Sequence, residues 1–227
     1  MARSKNKKKL ARRRRVPLPL GGFPDRKLAR LKYVEFITLD PSASGSAVPT
    51  INHFRANSLF DPNQSGTGHQ PRGYDEHCAI YDHYTVIGSK MKATFESDVD
   101  NTANAGQYCF LLLQDTNSTP PDLISILEDG MGKADVKFRP YDNTTGKSCV
   151  LTAKYSPYKM FGLPKNVGIT GVDSLTPTIG SNPAEDAIYT VGVMCQRTTS
   201  TNPAALVVRV EIEYIAIFTE KRPINQS

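Results

Sequence analysis

From residue 33 onward the chain alternates apolar and polar side chains with a period of two, which predicts β-strands rather than helices. The clearest case lies near the C-terminus, where Val208, Val210 and Ile212 alternate with charged residues, as in a long half-buried strand. Residues 109–113 are continuously apolar, which indicates a strand covered on both faces. The pattern predicts eight strands in all, at residues 33–40, 54–60, 85–95, 107–115, 134–141, 147–155, 187–196 and 208–218.

Only two short segments show helical spacing. Tyr74, Cys78 and Tyr81 follow one another at intervals of four and three residues, so they would share one helix face. The second segment is PPDLISILEDG, where Thr119 can cap the first turn, the two prolines suit that turn, and Gly130 ends the helix.

Eight strands with so little helix predict an all-β fold. Two architectures fit, a closed barrel and a two-sheet sandwich, and the eight-stranded form of the sandwich is the jelly roll. The sequence contains no internal repeat and no second change of composition after the first 26 residues. We therefore predict a single folded domain at residues 27–227, preceded by a basic arm and linker at residues 1–26.

The charge of the chain is concentrated in the arm. The first fifteen residues, MARSKNKKKLARRRR, carry nine basic side chains and no acidic one, whereas the rest holds 19 basic against 22 acidic residues. Nine like charges with almost no apolar material predict a segment that is disordered when free. A polycationic end on a mildly acidic body is typical of a protein that binds a polyanion. The predicted nucleic-acid-binding residues are Arg3, Lys5, Lys7, Lys8, Lys9, Arg12, Arg13, Arg14 and Arg15.

Two other roles of the arm are weighed against nucleic-acid binding. Nuclear import is compatible with it, whereas insertion into an anionic membrane is disfavoured because no aromatic or aliphatic wedge lies among the charges. Residues 16–23 are too short and too rich in proline and glycine for a secretory signal, and no run approaches the ~18 apolar residues of a membrane span. Lys27, Arg30 and Lys32 extend the positive character into the first strand, either as part of the same surface or as ordinary solvated charges.

Two connections are unusually long, at residues 61–73 and 156–185. The second contains many apolar side chains, which a lone monomer could not easily shelter in a loop. We therefore predict that it is buried against neighbouring subunits; the alternative is a loop folded back over its own sheet edge. The predicted subunit-interface residues are Tyr158, Met160, Phe161 and Leu163.

No pattern in the sequence predicts catalysis, a cofactor or a resident metal. The histidines at 53, 69, 77 and 83 lack metal-ligand spacing, and Asp82 beside His83 lacks a nucleophile motif. Acidic loop residues could bind calcium between subunits, although solvated carboxylates are the favoured interpretation. These residues are Asp61, Asp98, Asp100, Glu185 and Asp186. The four cysteines lack CxxC spacing and are interpreted as buried thiols of a reducing compartment.

Three stretches carry a resemblance to a known family. Residues 73–95, GYDEHCAIYDHYTVIGSKMKATF, resemble the capsid proteins of small circular single-stranded DNA viruses, the circovirus-like group that encodes a replication protein. In that family this segment leads from a short helix into a jelly-roll strand. KYS at 154–156 with KMFG at 159–162, and GSNP at 180–183, are similar too, as is a basic arm ahead of a β-rich body. Coat proteins of small plus-strand RNA viruses share the architecture.

The resemblance implies a specific biology. The body would be a single jelly roll that assembles into the smallest closed icosahedral shell, about 60 copies. The arm would face inward and neutralise a single-stranded DNA genome, and during infection it would serve as a nuclear localisation signal read by a host import receptor. The residues of that signal would be Lys7, Lys8, Lys9, Arg12, Arg13, Arg14 and Arg15. The protein would then reside in the virion and the host nucleus, without membrane insertion.

Three alternatives remain open at this point. The chain could be the coat of a small RNA virus, a cellular nucleic-acid-binding protein with a basic tail, or an enzyme built on a β-sandwich. Oligomeric state separates the first two, because a coat forms large closed particles and a binding module stays small. Loss of a measurable turnover on mutation of His83 would favour the enzyme.

Overall fold

The structure is a computed structural model that describes residues 22–41, 48–97, 106–120, 122–128, 137–141, 148–195 and 203–223. The basic residues of the arm all lie before residue 22, so the nucleic-acid and nuclear-localisation predictions for them fall outside the described residues. The eight strands are β1 Arg26–Leu39, β2 Thr50–Arg55, β3 Tyr81–Ser97, β4 Gln107–Gln114, β5 Lys137–Tyr141, β6 Cys149–Tyr155, β7 Ile188–Cys195 and β8 Leu206–Lys221. The helices are α1 Tyr74–Cys78, α2 Leu123–Glu128 and α3 Pro157–Met160, with 3₁₀ turns at Ile169–Gly171 and Asp173–Leu175.

The strands form two four-stranded antiparallel sheets. The first has the order β1-β8-β3-β6 and the second the order β2-β7-β4-β5. Strand 1 therefore pairs with 8, 2 with 7, 3 with 6 and 4 with 5, as in one long hairpin rolled into a sandwich. The fold is a jelly roll. The all-β prediction is confirmed, and of its two architectures the sandwich is the correct one.

The main core fills the space between the two sheets. β8 supplies alternate side chains from Val208 to Phe218, and all of those inward-facing side chains are fully buried, which confirms the predicted face. A second, smaller apolar cluster lies on the other side of the second sheet, where Ile126 of α2 packs on Phe110, Leu112 and Met194. β4 is thus covered on both faces, as its continuous apolar run predicts.

The second strand is the one whose predicted position is wrong. β2 ends at Arg55, and residues 56–60 form a turn instead of continuing the strand. The Ser58 hydroxyl accepts a hydrogen bond from the backbone N–H of Phe60 at 3.2 Å, which closes that turn. Ala56 and Leu59 are nevertheless fully buried, so their apolar character reflects core packing of a turn rather than a strand.

Helix α2 is present but begins at Leu123, three residues later than the sequence predicts, and with a different cap. The Oδ1 atom of Asp122, rather than the side chain of Thr119, accepts a hydrogen bond from the backbone N–H of Ser125 at 2.7 Å. Aspartate at this position satisfies one of the unpaired N–H groups of the first turn. That contact lowers the pKa of the Asp122 carboxyl. Across the described residues, no helix is long and apolar enough to cross a membrane.

The long 156–185 connection folds back over its own sheet edge, the second of the two interpretations above. It contains α3 and both 3₁₀ turns, none of which the sequence predicts because each is too short for a periodic signal. The backbone N–H of Ile179 donates to the carbonyl of Asp82 at 2.8 Å, and that of Tyr84 donates to Pro177 at 3.3 Å. The loop therefore extends along the beginning of β3, and buries Ile169 and Leu175 in the same chain.

The cysteines agree with the predicted thiol chemistry. Cys109 and Cys149 are buried, and Cys78 and Cys195 are partly buried. The hydrogen bond with Cys149, together with burial, raises the pKa of the Cys109 thiol. Such thiols are held in the protonated, unreactive form at neutral pH.

Candidate nucleic-acid and assembly surfaces

The arm enters the folded domain at an edge of the first sheet. β1 is the edge strand and starts at Arg26, eleven positions after Arg15, the last basic residue of the arm. Alternate side chains of β1, β8, β3 and β6 point away from the core, because their neighbours in each strand are buried. We call the outward surface at the centre of this first sheet the basic face, since it carries six basic side chains and three acidic ones. These are Arg30, Lys32, Lys90, Lys92, Lys154 and Arg209, with Glu96, Glu211 and Glu213.

Most cations of the basic face pair with two glutamates on β8. Glu213 accepts a hydrogen bond from Arg30 at 2.6 Å. Glu211 binds Lys32 at 2.6 Å and lies within 3.6 Å of Lys92. The hydrogen bond from Lys32 lowers the pKa of the Glu211 carboxyl. Exposed pairs of this kind contribute little stability but fix the positions of the charged groups. Arg30 and Lys32, which the sequence leaves open as either solvated or functional, lie together on this face.

Large apolar side chains are exposed on both sides of the sandwich. Phe36 on the outer face of β1 is 63% exposed, and Ile215 on β8, opposite Arg30 of β1, is 43% exposed. On α2, over the second sheet, Ile124 is 63% and Leu127 is 56% exposed.

The four predicted interface residues do not share one environment. Met160 is 2% exposed within the single chain and packs in the main core, and an interface role for it stays a prediction. Tyr158, Phe161 and Leu163 are half-buried. The Tyr158 hydroxyl donates to the carbonyl of Val167 at 3.2 Å, which holds the loop in shape. An interface role for these three residues stays a prediction.

The loop carboxylates considered for calcium bind a guanidinium instead. Arg55 donates to the Asp61 carboxylate at 2.8 Å, and its Nε lies 3.5 Å from Oδ1 of Asp186. Burial raises the pKa of the Asp186 carboxyl, and Arg55 partly offsets that effect. Within the described part of the chain no group of three or more potential ligands could hold a metal ion. Asp98 and Asp100 lie outside the described residues.

Asp82 and His83 bind different partners near the end of β8. Asp82 accepts a hydrogen bond from Nε of Arg222 at 2.6 Å, and Nδ1 of His83 lies 3.3 Å from Glu220. Consecutive residues of a strand point to opposite faces, so the two side chains are directed apart. Their contacts join the beginning of β3 to the end of β8.

Comparisons with known proteins give structural likeness only. No protein family and no curated protein matches the sequence. A structure of Desmodium yellow mottle tymovirus has a TM-score of 0.41 and 12% identity, covering 98% of this chain and 100% of that one. The semi-empty VLP of the giant freshwater prawn Macrobrachium rosenbergii nodavirus has a TM-score of 0.47 and 9% identity, covering 89% and 97%. The 60-mer BFDV capsid protein has a TM-score of 0.41 and 11% identity, covering 90% and 100%.

All three similar structures come from viruses. Their TM-scores lie below 0.5 and their identities near a tenth, so the jelly-roll assignment depends on the strand order of this chain and not on these likenesses.

Proposed function

We propose that this chain is a viral coat protein whose jelly-roll domain assembles into a closed shell and whose basic arm packages a single-stranded genome. The observation that supports it most directly is that the cationic arm is joined by a ten-residue uncharged-to-acidic linker to a strand on the basic face. The nine cations of the first fifteen residues lead to a strand whose own Arg30 and Lys32 lie on the basic face. One side of the sandwich and the arm attached to it therefore offer a single cationic surface to a polyanion.

The arm has the reach that packaging requires. Fully extended, residues 1–26 span on the order of 85 Å, so the charges can follow a nucleic acid well away from the folded body. Contacts between lysine or arginine and phosphate do not read sequence, as suits a protein that packages a whole genome.

The genome is proposed to be DNA and the shell to be icosahedral, with about 60 copies. The resemblance of residues 73–95 to circovirus-like capsid proteins supports this choice. In the structure the segment contains α1 and the first part of β3, the helix-to-strand arrangement that the resemblance implies. The same arm is proposed to serve as the nuclear localisation signal, because an exposed cationic segment also suits the acidic groove of an import receptor.

Deletion of residues 2–15 tests the proposal. The full chain is expected to bind a single-stranded oligonucleotide with a log K versus log salt slope of roughly −6 from the arm alone, and the deletion should remove that slope. Circular dichroism should remain that of a β protein, because the jelly roll lies outside the deleted segment. A matched control keeps the length of the arm but replaces its nine basic residues by glutamine, and it should bind as weakly as the deletion.

Particle formation distinguishes the coat from the runner-up function. Negative-stain microscopy of the purified chain is expected to show closed particles, whose nucleic acid is removed by a DNase and resists an RNase once the particles are opened. RNase sensitivity would assign the chain to an RNA virus. A species that stays small at every salt and protein concentration would identify a cellular nucleic-acid-binding protein instead.

The loop containing α3 provides an assembly test that leaves the arm intact. Leu163→Asp places a charge on a half-buried side chain of that loop, so the monomer should fold and bind oligonucleotide normally. At an interface the same charge would be desolvated without a partner, which costs several kcal/mol per contact. We expect particle yield to fall at least tenfold by sedimentation. Leu163→Met, which keeps the apolar character, is the control, and an unchanged yield of the aspartate variant would remove the loop from the interface.

A further inference from the structure

A groove crosses the basic face at an irregularity in β3. The register of β3 against β8 shifts between Val86 and Gly88, which marks a β-bulge. Gly88 has no side chain to project outward, and the surface there opens into a groove of about 340 Å³. Its lining includes Arg30, Lys90 and Lys154 around the rim, and Ile215 on one wall. Glu213 also lines the groove opposite Lys90 on β8, and its carboxylate is held by Arg30 at 2.6 Å.

Two of the cations on the rim lie directly opposite each other. Lys90 of β3 is the cross-strand partner of Lys154 of β6, a like-charge arrangement that destabilises a sheet. Among the described residues neither lysine forms an ion pair, whereas Arg30 is neutralised by Glu213 and Lys92 lies within 3.6 Å of Glu211. The protein thus holds two unneutralised ammonium groups side by side at the mouth of a groove. An anion bound between them would relieve the repulsion.

We propose that this groove is a binding site for one phosphodiester of the packaged single strand, held by Lys90 and Lys154. The assignment depends on the proposed function for the source of the strand. The charge of the site matches a phosphate, and Ile215 offers an apolar wall to the adjoining sugar or base. β1, which carries the arm, is separated from β3 only by β8, so a strand held by the arm would be present at high local concentration over the groove.

The packing around Gly88 does not require a glycine at this position. A Cβ atom built at this position would lie 3.5 Å from the carbonyl oxygen of Tyr155, which is an ordinary contact. A larger residue could therefore occupy the position without displacing the backbone, yet it would fill the groove. Substitution of Gly88 by a larger residue is therefore a second way to block the groove, and it leaves both lysines in place.

The test uses the full chain and an oligothymidylate of about 20 nucleotides, a length that spans several contacts. Lys90→Gln with Lys154→Gln is expected to reduce the magnitude of the log K versus log salt slope by about 0.7, because the groove holds one phosphodiester and each neutralised phosphate of a single strand contributes about that amount. Lys159→Gln with Lys165→Gln removes two exposed cations that lie outside the basic face, and it should leave the slope unchanged.

Gly88→Leu should lower the affinity at least threefold at low salt, although it changes no charge. Acetylation mapped by mass spectrometry gives an independent reading: the oligonucleotide should protect the amines of Lys90 and Lys154 several-fold more than that of Lys92. Inorganic phosphate at matched ionic strength should protect them far less. Equal protection by phosphate would overturn the assignment to nucleic acid.

The packaging function and the groove assignment are overturned by different results. If the full chain binds oligonucleotide and the arm deletion abolishes binding, but the Lys90/Lys154 variant keeps the wild-type slope and neither amine is protected, only the groove assignment is overturned. If the full chain binds no oligonucleotide, the packaging function and the groove assignment are both overturned.

Discussion

The free energy of unfolding of the jelly roll is expected to fall steeply with pH in alkaline solution, within about one pH unit above pH 10. Five tyrosine hydroxyls have a raised pKa, and burial is the main cause for each of them. The pKa of Tyr84 is raised to about 12, and the pKa values of the other four are raised well above the ordinary value, at Tyr33, Tyr74, Tyr155 and Tyr214. In the unfolded chain all five ionise near pH 10, whereas in the folded chain they remain protonated. The folded state therefore binds more protons than the unfolded state above pH 10, and the free energy of unfolding falls as the pH rises.

The size of the effect follows from the number of groups. Each contributes about 1.4 kcal/mol per pH unit, so five contribute about 7 kcal/mol per pH unit, comparable with the whole stability of an ordinary domain. Below pH 10 this stabilisation is fully present. Urea unfolding followed by circular dichroism at closely spaced pH values measures the slope, and tyrosinate absorbance shows whether ionisation accompanies unfolding.

A single substitution provides the control for this prediction. Tyr214→Phe removes one of the five titrating groups together with the hydrogen bond that its hydroxyl donates to the carbonyl of Arg55 at 2.7 Å. The variant should be less stable at neutral pH, but its stability should decline more slowly with pH, by about 1.4 kcal/mol per unit. Recovery of the β spectrum on return to neutral pH excludes chemical damage. A free energy of unfolding that stays constant up to pH 11 would contradict the prediction.

Replacing Gly192 by valine is expected to destabilise the domain by about 3 kcal/mol. Gly192 lies on β7 opposite Phe110 of β4, and the phenyl ring covers the glycine: a Cβ atom added there would lie 2.1 Å from Cζ of Phe110. The ring is fully buried and packs against Ile126 of α2, so it cannot swing into solvent. Either the ring or α2 must shift, and both changes loosen the second apolar cluster.

Urea denaturation of Gly192→Val against the wild type measures this cost. Gly168→Ala is the matched control, because its added Cβ meets nothing within 4 Å and its backbone φ is −71°, which any residue adopts. That variant should be as stable as the wild type or slightly more stable. The double variant Gly192→Val with Phe110→Leu should recover part of the loss, since the clash is with the ring. Equal stability of Gly192→Val and the wild type would show that the cluster is not close-packed.

The strands could be predicted where burial on one face imposes a strict period of two. β8 illustrates this, since its buried and exposed residues alternate along nearly its whole length. The prediction failed at β2 because the strand reads TINHFR, in which only Ile51 and Phe54 are apolar and they do not alternate with period two, whereas the turn after it is rich in apolar residues. Period alone cannot distinguish a buried turn from a strand when the turn itself is part of the core.

The candidate site, like the fold, could be predicted from the sequence only in part. The arm is evident from charge density alone, and the outward positions of Lys90 and Lys92 follow from alternation within one strand. The pairing of Lys90 with Lys154 does not, because it requires the register of β3 against β6 and the bulge before Gly88. Alternation places a side chain on a face, but only the register decides which charges from other strands lie beside it.

The pairing of the first strand with the last one has a consequence for synthesis. β1 pairs with β8 along all 14 of its residues, so among the described strands its partner in the sheet is the one most distant from it in sequence. The arm and β1 are synthesised before β8, and the first sheet cannot close until β8 has been made. The nascent chain therefore exposes its cationic segment to cellular polyanions before a folded subunit exists.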